Sequence, residues 1–193
     1  MKLPIYNVKI ENLPEQFPTH NHSPLFWESL GRTIATYGFL EEILLRAIFA
    51  LSVTKEHKES DLELVYEKWA GLMERSLSDQ LGSLIDSFSK QARTHQCVSS
   101  DIEQLVHDLR EASKLRNVLC HGSWAVPDSC GKSVPFFVNK NKEIFDTAID
   151  VTYLNQVQQH VKELSCSVIN TVTQKGFRFP GTNGPGREVW EFA

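Results

Sequence analysis

The 193-residue sequence has no long apolar run. Its most apolar stretch, residues 39 to 53, is interrupted by Glu41, Glu42 and Arg46. A membrane-spanning helix needs about 20 consecutive, mostly apolar residues, so no membrane span is expected. Residues 1 to 6 also lack the long apolar core of a secretory signal, and no such signal is predicted.

Cysteine and positive charge are both scarce. The four cysteines (Cys97, Cys120, Cys130 and Cys166) form no C-x-x-C pair, which favours reduced thiols in a cytoplasmic protein over a disulfide framework. The formal net charge is −4. A broad electrostatic grip on nucleic acid usually needs a basic surface, so any RNA would have to be held at a small local site.

Apolar residues instead recur at steps of three and four, which is typical of amphipathic helices. We predict helices over residues 24 to 52, 61 to 93, 101 to 121 and 152 to 175, with the second breaking near Arg75-Ser76. Ser23 and Pro24 are typical of a helix start, because serine caps the first turn and proline fits its first position. Gly122 is predicted to end the third helix.

The segment before the last helix has a different character. Residues 123 to 126 and 134 to 138 are β-prone, residues 128 to 131 form a predicted turn, and a third short run covers 143 to 149. The predicted fold is therefore mainly α, an antiparallel bundle of four to five helices with a small β-hairpin or meander inserted before the last helix.

The two ends of the chain are predicted to lie outside this bundle. Residues 1 to 23 contain three prolines and form an arm, with one short strand over residues 5 to 10. Residues 176 to 193 form an extended tail that is partly held by its aromatic side chains. The helical domain between them covers residues 24 to 175, and its β insertion covers about 123 to 149.

The third helix combines a core stripe with a group of reactive side chains. At about 100° per residue, one stripe contains Ile102, Leu105, Leu109, Ala112 and Leu119. Arg116 falls within this stripe, where a guanidinium is costly unless it is paired. On the neighbouring arc lie Arg110, Ser113, Asn117, Cys120 and His121.

This group suits chemistry at a phosphodiester. Arginine holds a phosphate with two hydrogen bonds, histidine moves a proton near neutral pH, and asparagine orients a hydroxyl or an imidazole. The 2′-hydroxyl of RNA is an internal nucleophile, so no metal or other cofactor is required. Arg116, Asn117 and His121 are the candidate catalytic residues, and the nearby Arg110, Ser113 and Lys114 are the candidate substrate-binding residues.

Metal binding is a weaker interpretation of the histidines and cysteines. His20 and His22 have no acidic or cysteine partner nearby in the sequence, and Cys120, His121 and Cys130 are no better as a zinc site. We therefore predict no metal site.

The motif from Arg116 to His121 resembles the R-x(4–6)-H signature of the HEPN superfamily of helical domains. Asn117 occupies the polar position that often follows the arginine, and Gly122 continues the pattern as in a subgroup with R-N-x-x-x-H-G. The first helix is similar to the opening helix of that subgroup at Trp27, Leu30-Gly31, Tyr37, Leu40-Glu41 and Leu44. The resemblance covers residues 24 to 175.

The resemblance implies a function. In catalytically active relatives, two protomers join their motifs across a homodimer interface and cut RNA without a metal, often in toxin–antitoxin or anti-phage defence. Arg116 would then hold the phosphate, His121 would be the general acid/base and Asn117 would orient it, with an antitoxin as a protein partner. Some toxin members have a tyrosine where this chain has Ser123. Other members are not nucleases, so the alternative is a non-catalytic helical module for dimerisation or partner binding.

Each motif residue also has a structural interpretation. Arg116 would form an ion pair with Glu41 or Glu42 on the first helix. His121 would interact with the free carbonyls and the dipole at the carboxyl end of its helix. Asn117 would make a hydrogen bond between helices. These alternatives stay open from the sequence alone.

Overall fold

A computed structural model describes residues 7–54, 80–95 and 100–181, together with the single positions 67, 70, 71 and 74. Within them lie four α-helices, α1 (Pro24–Val53), α2 (Leu81–Thr94), α3 (Ser100–His121) and α4 (Val151–Thr173). The predicted mainly helical fold is confirmed. The first piece of the second predicted helical region falls outside the described residues except at those four positions, which are helical. None of the described helices is long and apolar enough to cross a membrane.

Helix α1 begins where the sequence predicts. The Ser23 hydroxyl accepts a hydrogen bond from the Phe26 backbone N–H at 3.2 Å, and Pro24 is the first helical residue. The helix buries one face along its whole length. A Cβ at Gly31 or Gly38 would meet no described neighbour within 4 Å, so neither glycine is needed for close helix packing.

Helix α3 runs antiparallel to α1. Arg116, near the carboxyl end of α3, contacts Glu41 in the middle of α1, and Trp124, just beyond α3, packs on Phe26 in the first turn of α1. Two further ion pairs set α3 antiparallel to α2: Arg110–Asp86 at 2.8 Å and Arg93–Glu103 at 3.0 Å.

Helices α1 and α4, by contrast, run in the same direction. The Thr33 hydroxyl donates to the Leu154 carbonyl near the start of both helices, and Arg46 donates to the Pro180 carbonyl just beyond the end of α4. The predicted antiparallel packing therefore applies to α3 against its neighbours. Helices α1 and α4 are far apart in sequence, so no short turn forces them to run in opposite directions.

The β insertion is a small meander. Strand β1 (Ser123–Trp124) pairs antiparallel with β2 (Pro135–Phe136), and isolated bridges join Ser133 to Ile149 and Val138 to Ile144. The predicted turn between the strands is confirmed. The Asp128 carboxylate accepts hydrogen bonds from the backbone N–H groups of Cys130 and Lys132, and Gly131 has a φ of +76°.

Gly122 ends α3, as predicted, but for a steric reason. A Cβ at this position would lie 2.6 Å from the Val118 carbonyl oxygen and 2.8 Å from the Pro135 Cβ. The Gly122 N–H donates to that same Val118 carbonyl at 2.8 Å. The glycine therefore lets β2 pack directly against the last turn of the helix that carries the motif.

The two ends of the chain differ from the prediction in detail. The expected strand over residues 5 to 10 is wrong for its described part, because residues 7 to 9 are irregular and a 3-10 helix begins at Ile10. Val8 and Ile10 are more than three-quarters exposed there. Beyond α4, Phe179 is buried in the core. This aromatic side chain therefore anchors the described part of the tail, which ends at residue 181. Residues 182 to 193 lie outside the described part.

Candidate functional site

Arg116 lies at the boundary between the core and the surface. The stripe residues around it are buried, as the helical wheel predicts. One guanidinium nitrogen lies 3.4 Å from a Glu41 carboxylate oxygen, and both side chains are 28% exposed. Glu42, the other predicted partner of Arg116, forms an ion pair with Arg46 on its own helix. The Arg116–Glu41 ion pair holds the guanidinium against α1 while part of it stays accessible.

Asn117 and His121 are both exposed and lie one turn apart on the same flank of α3. The Asn117 side-chain oxygen accepts a hydrogen bond from the Arg116 guanidinium at 3.5 Å. The expected interhelical bond of Asn117 is therefore replaced, within the described residues, by one to its neighbour on α3. No described residue is hydrogen-bonded or ion-paired to the His121 ring. We call Arg116, Asn117 and His121 the motif flank of α3.

The three predicted substrate-binding residues lie on or beside the face of α3 that carries Asn117 and His121. Arg110 and Lys114 are exposed and lie one turn apart, and Ser113 is half-buried. Arg110 is paired with Asp86 on α2, whereas Lys114 is paired with Glu111 at 2.6 Å and lies next to α4. Their role in substrate binding stays a prediction.

An aromatic cluster closes the end of the bundle next to the motif. The His22 ring stacks on Phe26 with 4.3 Å between centroids, and Trp27 and Trp124 pack edge-on around both. Burial lowers the pKa of His22. His22 is thus a buried aromatic neighbour of the motif, which its pairing with His20 in the sequence did not indicate. The aromatic residues Phe26, Trp27 and Trp124 were the feature of the sequence that could have indicated this cluster.

A cavity lies between α3 and α4, on the side of α3 that is turned away from Arg116. Its volume is about 480 Å³. Leu115 and Val118 of α3 and Val157 of α4 form apolar walls, and Tyr37 of α1 also contributes to the lining. The sequence did not indicate this cavity. We call this side the cavity flank of α3.

The described residues include no group of three or more histidine, cysteine, aspartate or glutamate side chains placed to hold a metal ion. Comparison of the chain with protein-family models, with curated proteins and with solved structures gave no match. The resemblance to HEPN domains therefore rests on the motif residues and on the opening helix.

Proposed function

We propose that this protein is a HEPN-like, metal-independent endoribonuclease that acts as a homodimer in toxin–antitoxin or anti-phage defence. The observation that carries the proposal is the exposure of Asn117 and His121 one turn apart, beside a partly accessible Arg116. The imidazole and the amide thus share one exposed face at the end of α3, and the guanidinium contacts the amide oxygen. These groups suffice to bind a phosphodiester and to transfer protons near neutral pH.

In the proposed reaction, the 2′-oxygen of a ribose attacks the adjacent phosphorus. The P–O5′ bond breaks, leaving a 2′,3′-cyclic phosphate and a 5′-hydroxyl. One proton leaves the 2′-hydroxyl and one reaches the 5′-oxygen, so the step needs both a base and an acid. One protomer contributes a single His121, and a pair of protomers contributes two. This proton balance favours a site composed from two copies.

Arg116 would stabilise the negative charge that develops on the phosphate. Its guanidinium has five N–H donors, and the contacts to Glu41 and Asn117 leave donors free for phosphate oxygens. Glu41 would fix the direction of the guanidinium. Asn117 would link Arg116 to the face that carries His121.

The β insertion supports a homodimer near this site. It begins two residues after His121 and carries large apolar side chains that are strongly exposed: Val126 is 71% exposed, and Phe136 and Ile144 are each 67% exposed. Several large apolar side chains exposed on one small element are a candidate interaction surface. Phe136 pairs with Ser123 across the two strands, which places this surface directly beside the end of α3. A second copy docked there would bring the two motifs close together.

The direct test is RNA cleavage in the presence of EDTA by wild type and by His121→Ala. We expect the variant to cut at least about 100-fold more slowly, because general acid/base catalysis contributes about 10²–10⁴-fold. His107→Ala is the matched control, since His107 is an exposed histidine on the same helix. Equal cleavage by wild type and His121→Ala, or no cleavage by wild type across structured RNAs, would refute the proposal.

The composite site has its own test. Phe136→Ser removes an exposed apolar side chain at the proposed interface and should leave the fold intact. Light scattering should show a dimer for wild type and a monomer for the variant, and cleavage should fall together with dimerisation. A monomeric variant that retains full activity would contradict a site shared by two copies.

The Arg116–Glu41 ion pair favours a second candidate, a non-catalytic helical module for dimerisation or partner binding. In that case the ion pair alone explains why an arginine lies within the core stripe. The module predicts that His121→Ala leaves assembly and cellular effects unchanged, whereas Phe136→Ser abolishes them.

A further inference from the structure

A second groove lies between α1 and α4. Its volume is about 630 Å³, and its lining shares no residue with the cavity between α3 and α4. No carboxylate is among the described residues that line it. Its polar walls consist of two cations, Arg32 and Lys162, and three carboxamides, Asn155, Gln158 and Gln159. On a chain with a formal net charge of −4, this groove is a surface suited to an acidic partner.

The two cations of the groove differ in their present partners. Arg32 pairs with Glu28 on its own helix, and both side chains are more than half exposed. Such an exposed pair contributes little, so it leaves Arg32 able to pair with another carboxylate. Lys162 is exposed, and no described residue forms an ion pair with it. The groove can therefore accept one acidic group at Lys162 and a second one at Arg32.

The described part of the chain leaves α4 on the side of α1 that forms the groove. Arg46 donates a hydrogen bond to the Pro180 carbonyl at 3.5 Å, and a Cβ at Gly181 would lie 3.1 Å from the same guanidinium. Arg32, Phe39 and Arg46 are spaced by seven residues, which is close to two helical turns, so they lie on one side of α1. The path from Arg46 to Arg32 is about 21 Å long at a rise of about 1.5 Å per residue.

The residues that follow Gly181 have the length and composition that this groove requires. They include two glutamates, Glu188 and Glu191, on either side of Val189 and Trp190. The nine steps from Gly181 to Trp190 span up to about 30 Å when the chain is extended, so Trp190 is within reach of the whole groove.

We propose that residues 188 to 192 dock as an extended segment in the groove between α1 and α4 of the same chain. The two glutamates pair with Arg32 and Lys162, and Trp190 packs against Phe39, which is 37% exposed. The carboxamides of α4 contribute both donors and acceptors, which suit the backbone N–H and C=O groups of an extended segment.

Docking within one chain needs only weak contacts. The short connection from Gly181 gives the segment a high effective concentration at the groove. The site is also separate from the motif flank, because Arg116, Asn117 and His121 are not among the residues that line it. The proposal therefore does not depend on RNA cleavage.

Amide hydrogen exchange of the full chain tests the docking directly. The protection of residues 188 to 192 measures the ratio of docked to free segment. Lys162→Glu should lower this protection by about fivefold, equivalent to about 1 kcal/mol, because it removes one ion pair. Lys90→Glu is the matched control, since Lys90 is an exposed lysine on α2 outside the groove, and it should leave the protection unchanged.

Two further measurements identify the partner of the groove. In a chain that carries Glu188→Gln and Glu191→Gln, Lys162→Glu should have little further effect, because no ion pair is left to lose. Nuclear Overhauser effects between the Trp190 indole and the Phe39 ring should locate the segment in the groove.

The protection should also be independent of protein concentration. Protection that rises with concentration would make the segment of a second copy the occupant and would overturn docking within one chain. An unprotected segment in wild type, an unchanged Lys162→Glu variant, an equal loss in Lys90→Glu, a full Lys162→Glu effect without the two glutamates, or no Trp190–Phe39 contact would each overturn the proposal as well.

Discussion

The two flanks of α3 carry polar groups in opposite circumstances. On the motif flank, Asn117 and His121 are exposed, and Arg116 is held at the core boundary by Glu41. On the cavity flank, the Tyr37 hydroxyl lies in the core, and no described residue is hydrogen-bonded to it. Water satisfies the exposed groups at little cost, whereas burial of a polar group without a partner is costly.

This difference in exposure indicates what kind of partner each flank can bind. The motif flank presents charged and titratable groups to a large polar partner such as RNA. The cavity flank borders an open groove whose walls are mostly apolar and whose lining also includes Gln156 and His160. Both flanks lie along the same helix, α3. A substitution confined to one flank therefore tests whether the other flank is independent of it.

The largest expected effect on stability comes from Gly122→Ala, at the end of the motif flank. The new Cβ would clash with the Val118 carbonyl and with Pro135, and overpacking of this kind costs about 1–3 kcal/mol. Gly38→Ala is the matched control. It lies within α1 with open space around it, so it should stabilise the protein by about 0.5–1 kcal/mol.

Chemical denaturation measures both glycine variants. A stabilising Gly122→Ala would contradict the steric role of this glycine.

A smaller effect is expected for the ion pair that anchors the motif flank. A double-mutant cycle with Glu41→Gln and Arg116→Gln should give a coupling energy of about 1 kcal/mol, since both side chains are 28% exposed. The more exposed pair Arg110–Asp86 is the comparison and should give about 0.3 kcal/mol. Equal coupling in the two cycles would show that Glu41 does not anchor Arg116.

The smallest effect is the pH dependence of the aromatic cluster beside the motif. Burial lowers the folded-state pKa of His22 below the ordinary value of 6.5. The unfolded chain therefore binds a proton first as the pH falls. The contribution of His22 to stability should be complete above pH 6.5 and should decrease below it, towards the folded-state pKa.

Thermal melts of wild type and His22→Gln between pH 8 and pH 5 measure this contribution. The wild type should lose more stability than the variant over the acid part of the range. The ring neighbours Phe26, Trp27 and Trp124 do not titrate, so the difference isolates His22. Parallel pH profiles would refute the assignment.

Local sequence signals predicted the elements well. The start of α1 at Ser23 and Pro24 depends on a cap within a few residues. The turn at residues 128 to 131 likewise depends on Asp128 and Gly131. Such signals act within one turn of backbone, so the sequence contains them in full.

Features that depend on residues far apart in the chain were predicted less well from the sequence. The strand expected over residues 5 to 10 is wrong where described, because an apolar pattern forms a strand only when a neighbour pairs with it. Arg110 pairs with Asp86 on another helix, which spacing along α3 does not indicate. The Lys114–Glu111 pair, by contrast, follows from a spacing of three residues on one helix.

The sequence by itself determined the helices, the β insertion and the placement of Arg116 within the core stripe of α3, because these follow from local periodicity. Only the tertiary structure decided that Glu41 and not Glu42 pairs with Arg116, since that depends on the rotation of α1 against α3. It also decided that Tyr37 is left without a hydrogen-bond partner among the described residues, beside a cavity. Burial and partners are properties of packed helices, and they arise only when segments far apart in the chain come together.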